Sequence, residues 1–429
     1  MLLALLALFL SWQSGPSGST GITKSRPPRQ EAHKTVWRKV QVPIEQGEIS
    51  LLVLCRGVFD AYGMDGKQLD FKDHRLPIDS FTSRLLLYGL EKSMKGQLEL
   101  RRRDEGKTFE LAIQKGTVSR GRRAAKKKIL QALSRMTGEN LIARQYRLSL
   151  PAKIDSLKQL VILVHGLDSR AEIFDELATF LESKGHPCAR YSYPNDDRIS
   201  ESAARLSAKI KKLAARHEDM RFVLIGHSMG GLLCRELIEN PKLYPPQVQS
   251  VAFLGTPHKG SYLSPWRSLL DLRDTIRGGF RAQALLDTWR DGFGEAGYDL
   301  WPGSTWLEAV AARPRNPKVR YLNILGNRAP LTHESLEKLA TRAKQILNKT
   351  RGGRLILPKA TRALSDLREL EQGKGDCAVA LVRGHLEGVP EKILPLDHIA
   401  LVRLSGILTP RQKPDSHPAW QLLLRWLTP

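Results

Sequence analysis

Ser228 stands in LIGHSMGG (224–231), at the centre of a G-x-S-x-G pentad completed by Gly226 and Gly230, and a serine so placed is a candidate nucleophile. Its hydroxyl attacks a carbonyl only if a base removes the proton, and the base needs an acid to orient it. The chain offers both downstream. Asp376 lies in the glycine-flanked GKGDCAVAL, and His398 follows a strand-like run in EKILPLDHIALVRL. In this assignment His398 takes the Ser228 proton and returns it to the leaving group, while Asp376 fixes the tautomer and stabilises the imidazolium.

Other residues compete for these roles. Asp397 is the rival acid, but adjacency to His398 points it elsewhere in most backbone conformations; Asp366, Glu369 and Glu371 are more distant. His385, after the strand-like VALVRG, is the rival base. It follows Asp376 too closely to leave room for a strand between acid and base. His165, His227 and His258 sit in strand-end turns and read as structural or pocket-lining. For a developing oxyanion, the amide after the nucleophile, Met229, is one donor, and the loop in VILVHGLDSR supplies Leu167 as the other.

Positioning such groups requires a strand, a sharp turn and a helix around Ser228, and RFVLIG-HS-MGGLLCRELI reads in that order. From residue 157 strands alternate with amphipathic helices: LKQLVILVHG, then AEIFDELATFLESKG, CARYSYP, ISESAARLSAKIKKLAARH, RFVLIG, VQSVAFLG and VRYLNILGN. The pattern predicts an α/β fold with a mainly parallel central sheet flanked by helices over residues 140–429. Two insertions break the rhythm, a lid at about 261–316 carrying Trp266, Trp289, Trp301 and Trp306 with Phe280 and Phe293, and a second at about 328–373 with the basic amphipathic SLEKLATRAKQIL.

Residues 35–130 read as a small β-rich domain with strands at VWRKVQV, ISLLVLCRGVF, SRLLLYGL, QLELRRR and FELAIQ, followed by the basic SRGRRAAKKK. Residues 1–22 read as a signal peptide or short anchor, and 23–34 as a linker, so a secreted, periplasmic or envelope location is expected. The 68 Lys and Arg against 44 Asp and Glu give a formal charge of +24, which favours peripheral contact with anionic membranes or polyanions. Without aromatic interleaving or a recognisable module, no specific nucleic-acid partner is implied. Cys55, Cys188, Cys234 and Cys377 lack metal-ligand spacing and read as free thiols.

Residues 157–404 resemble an α/β-hydrolase of the lipase type through VILVHGL, GHSMGG, FLGTPHKG, GDCAVAL and DHIAL, in that order, and are similar to bacterial triacylglycerol lipases and the lipase domain of GPI inositol-deacylases. One departure is Cys377, which stands where the acid loop commonly carries a second glycine. The resemblance implies a hydrolase of lipid or other acyl esters working through an acyl-enzyme, with no metal or organic cofactor. The same triad also serves thioesterases and acyltransferases. A non-catalytic alternative makes the chain a polyanion- or envelope-binding protein with the hydrolase domain as scaffold.

Overall fold

The computed structural model describes residues 37–61, 71–80, 98–103, 107–114, 140–167, 169–194, 197–261, 299–329 and 371–428, with a few isolated positions between them. The apolar start, the linker, SRLLLYGL and most of both insertions lie outside the described residues, as do Trp266, Phe280, Trp289 and Phe293. The chain divides into two compact units, Met1–Gln145 and Tyr146–Pro429.

In the first unit, strands β1 (Trp37–Pro43), β5 (Thr108–Gln114) and β4 (Leu98–Arg103) form an antiparallel sheet in that spatial order, and β2 (Glu48–Ser50) pairs with β3 (Arg75–Pro77). The β4–β5 register sets Leu98 against Ile113 and Leu100 against Leu111, the single apolar face that alternation predicts. The stretch ISLLVLCRGVF departs from the expected strand. Only its first residues pair, and Leu51–Ala61 is helix α1. The Ser50 hydroxyl accepts from the Val53 amide at 3.0 Å and the Asp73 carboxylate from Leu52 at 2.9 Å, so both groups cap the first turn. Leu51, Cys55 and Phe59, four apart, face one cluster with Leu69 and Phe71. A short helix, α2 (Leu141–Arg144), is capped by the Asn140 side chain.

The second unit is built on a seven-stranded sheet in the order β12-β11-β10-β9-β7-β8-β6. Its strands are β6 (Arg147–Ser149), β7 (Gln159–Val164), β8 (Cys188–Ser192), β9 (Arg221–His227), β10 (Val248–Leu254), β11 (Arg320–Gly326) and β12 (Glu391–Leu394). All pairs are parallel except β6 with β8. The central strands carry long apolar runs, Leu160–Val164, Phe222–Ile225 and Val251–Leu254, because both faces are covered. Leu160, Ile162, Phe222, Leu224, Val251 and Phe253 pack with α4 (Ile199–Ala214) and α5 (Met229–Glu239). Val161, Leu163, Val223, Ile225, Ala252 and Leu254 pack on the other side with α3 (Asp175–Ser183) and α8 (Pro418–Leu427), where Trp420 is fully buried. Each buried Val, Leu, Ile or Phe among them contributes about 1.5–3 kcal/mol by leaving water.

α5 is also pinned by charge. Buried Arg235 donates to Glu239 at 2.9 Å, Arg315 reaches the same carboxylate, and Arg313 pairs with Glu236 at 2.6 Å, tying α5 to the chain that follows α6 (Thr305–Ala311). Trp306, one of the four tryptophans expected in the first insertion, packs against the core. VALVRG also departs from expectation: Leu381–Gly384 is a single helical turn, α7. Among the described residues no helix is long and apolar enough to cross a membrane.

Candidate active site

β9 runs into α5 through one residue, Ser228, with φ 54° and ψ −127°. A side chain at positive φ costs about 1–2 kcal/mol, and the surrounding backbone enforces it. A Cβ on Gly226 would meet the Gly231 Cα at 2.5 Å, and one on Gly230 would meet the Val164 carbonyl oxygen at 2.1 Å. Only glycine lets the strand, the turn and the neighbouring β7 approach so closely. The Ser228 amide donates to the Leu254 carbonyl at 2.9 Å, which fixes the turn to β10.

Asp376 and His398 meet beside this turn. His398 Nδ1 donates to Asp376 Oδ2 at 2.7 Å, and both side chains are shut off from solvent. The other carboxylate oxygen, Oδ1, accepts the amides of Ala378 at 3.0 Å and Val379 at 2.8 Å, and the His398 amide donates to the Asp376 carbonyl at 2.8 Å. Cys377 adopts φ 84°, so the acid loop keeps the backbone of a glycine while carrying a thiol. Its Sγ donates to the Arg328 carbonyl at 3.2 Å, and burial, with Asp376 and Asp397 beside it, pushes the thiol well above its ordinary range.

The Ser228 turn and the Asp376–His398 pair converge through His227, whose ring centroid lies 4.6 Å from that of His398. His227 Nε2 donates to the His398 carbonyl at 3.0 Å, so that nitrogen carries the proton. Burial holds its imidazole well below its ordinary range. Gly255, at the end of β10, completes the floor: a Cβ there would meet His398 Nδ1 at 2.9 Å and Asp376 Oδ2 at 3.0 Å. Gly326, at the end of β11, is confined in the same way by the Asp376 Cβ at 2.8 Å. Gly255 lies within the FLGTPHKG stretch but carries no assigned role there, and both glycines close apolar strands, a repeated ending that is the signal available in the sequence.

The rivals separate cleanly. Asp397 turns its buried carboxylate away from the pair to accept the amides of Ala400, Leu408 and Thr409 at 3.1, 2.8 and 2.7 Å, so it shapes the loop that carries His398. His385 is half-exposed and faces Glu391 at 3.2 Å. Glu371 pairs with Lys374 at 2.9 Å. Asp366 and Glu369 lie outside the described residues. His258 is buried edge-on against Phe253.

On the opposite flank, a Cβ on Gly166 would meet the Ser228 Cβ at 2.7 Å and its Oγ at 3.3 Å, so the loop holding Leu167 lies directly against the nucleophile. Met229 opens α5, whose N-terminal amides and dipole favour negative charge. At the site's margin the Ser261 amide donates to the Leu300 carbonyl at 3.0 Å and its hydroxyl to the Ala378 carbonyl at 2.8 Å. Chemically, the arrangement offers a hydroxyl on a buried, tightly enclosed turn, an imidazole oriented by a carboxylate, and a helix N-terminus beside them.

The family model described as the alpha/beta hydrolase family matches residues 161–390, more than half of the 429-residue chain. Triacylglycerol lipase 2 of Saccharomyces cerevisiae is 33% identical over 111 residues, covering 25% of this chain and 33% of that protein. A triacylglycerol lipase of Pseudarthrobacter phenanthrenivorans is 34% identical over 110 residues, 24% of this chain and 34% of its own length. The chain thus spans about a third of the length of these relatives. A lipase structure from Bacillus licheniformis aligns with TM-score 0.42 and 19% identity, covering 65% of this chain and 97% of that one.

Proposed function

The chain belongs to the alpha/beta hydrolase family, and from that premise we propose that it hydrolyses carboxylic esters of lipids or other acyl compounds through an acyl-enzyme on Ser228. The observation that carries the reading is the hydroxyl on its positive-φ turn, joined through His227 to an imidazole that a buried carboxylate holds at 2.7 Å. His398 accepts the Ser228 proton through Nε2 as Oγ attacks the ester carbonyl. The oxyanion forms facing the Leu167 and Met229 amides, which gain strength as charge develops. Collapse breaks the carbonyl carbon–alkoxy oxygen bond, and His398 delivers its proton to the departing alcohol. Water then enters, gives its proton to His398 and attacks the acyl carbon, and Ser228 leaves with that proton as the acid is released.

The relatives' names support an acylglycerol as substrate. The net charge of +24 supports approach to an anionic lipid surface. Binding to phosphatidylglycerol vesicles over phosphatidylcholine vesicles tests that approach, and equal binding removes it.

The experiment that tests the reaction is Ser228→Ala, assayed on p-nitrophenyl acyl esters of several chain lengths, with fluorophosphonate labelling of the unaltered protein. Hydrolysis and labelling both vanish in the variant. Full hydrolysis without Ser228 removes the assignment.

A further inference from the structure

The residue before Gly166 is a histidine with 2% of its surface exposed, and its ring is committed to its own backbone. His165 Nδ1 lies 2.9 Å from the Gly166 carbonyl oxygen. A carbonyl only accepts, so Nδ1 carries a proton. The ring lies flat against Tyr193, centroids 4.3 Å apart and planes 16° apart, and Tyr193 Oη donates to the His165 carbonyl at 2.6 Å. Burial pushes the Tyr193 hydroxyl well above its ordinary range, so it stays a donor. Two consecutive carbonyls are therefore each held by a side chain from the buried side.

The consequence follows from peptide geometry. The Gly166 carbonyl and the Leu167 N–H belong to one planar trans unit and point to opposite sides of the chain, and no cis peptide occurs among the described residues. Holding the oxygen toward the His165 ring turns the Leu167 N–H away from it. Gly166 itself lies against Ser228. Without a side chain, Gly166 leaves this peptide free to rotate. Were it to turn over, a carbonyl oxygen would replace a donor beside the nucleophile, and attraction for a developing oxyanion would become repulsion.

We infer that His165, buttressed by Tyr193, is a positioning residue that locks the Gly166–Leu167 peptide in its donor-inward orientation. The inference rests on the proposed role of Leu167 as an oxyanion donor.

His165→Phe tests it, because phenylalanine keeps the stack on Tyr193 and removes only the ring donor. Steady-state hydrolysis of p-nitrophenyl butyrate is measured together with inhibition by an aryl trifluoromethyl ketone, whose tetrahedral adduct carries the oxyanion. The expected result is a fall in kcat of about 10- to 100-fold, KM little changed, and a parallel loss of ketone affinity. The shape of the pH profile stays as in the unaltered protein. A kcat equal to that of the unaltered protein overturns the inference, as does a loss confined to KM. Ser228-independent hydrolysis in the unaltered protein would overturn both this inference and the proposed function, whereas Ser228-dependent hydrolysis with an indifferent His165→Phe overturns this one alone. If the variant does not fold, [15N]histidine spectra of the unaltered protein decide: a proton on His165 Nδ1 is expected, and a ring protonated only at Nε2 overturns the lock.

Discussion

His227 holds His398 by its backbone: the ring of the first packs 4.6 Å from the ring of the second while its Nε2 donates to that residue's carbonyl at 3.0 Å. Because Ser228 follows His227 directly, the residue that precedes the proposed nucleophile also anchors the proposed base. His227→Ala removes the donor from a buried carbonyl and lowers stability by about 1–3 kcal/mol. Urea denaturation reads the loss, and steady-state kinetics show kcat falling more than KM rises. An unchanged urea midpoint contradicts the anchoring role.

Acidity destabilises the protein in a defined window. Burial keeps the His227 and His258 imidazoles well below their ordinary range, so both remain uncharged in the folded state as the pH falls past 6. In the unfolded chain each takes a proton below about pH 6.5. The unfolded state then binds more protons, so stability falls as pH drops below about 6.5, by up to about 1.4 kcal/mol per pH unit for each residue, and these groups have no effect above that. Thermal midpoints recorded from pH 7.5 down to pH 5 check the sign; a midpoint that rises on acidification contradicts it.

Asp376 and Asp397 answer to different assays. Asp376→Asn disturbs the partner of His398 Nδ1 and lowers kcat by about three to four orders of magnitude with a small change in melting temperature. Asp397→Asn puts an amide where a carboxylate oxygen accepts from both Leu408 and Thr409, and costs about 1.5–3 kcal/mol of stability. Kinetics paired with calorimetry on both variants separates the roles, and an exchanged pattern reverses the assignment.

Cys377 inverts an ordinary ranking. At φ 84° a Cβ costs about 1–2 kcal/mol, which outweighs the extra freedom of unfolded glycine at about 0.5–1 kcal/mol. Cys377→Gly is therefore more stable than Cys377→Ala, opposite to the order in a helix. Equilibrium unfolding of the two variants measures the difference, and a more stable alanine variant refutes the strain.

The nucleophile turn was legible because its demands are local: the pentad, the strand before it and the helix after it all lie within RFVLIGHSMGGLLCRELI. The alternation of strands and helices was legible because a parallel sheet covered on both faces leaves long apolar runs. Leu51–Ala61 was misread because a short apolar run suits a strand or a buried helix equally, and what decides is a cap from Ser50 and a distant Asp73. VALVRG failed in the same way. The uses of Asp397, Gly255 and Gly326 depend on partners that only tertiary packing supplies, Leu408 and Thr409 for the first and the His398–Asp376 pair for the others.

The bond from Ser261 to Leu300 gives the scaffold a single docking port: the chain departs and re-enters at one place, beside the acid loop but outside the sheet. Closing a flexible excursion costs only about 0.6 kcal/mol more for each doubling of its length. Cassettes of different size and polarity can therefore be grafted between these two positions at little thermodynamic penalty. A sheet braced in this way keeps its register whatever the length of chain between Ser261 and Leu300.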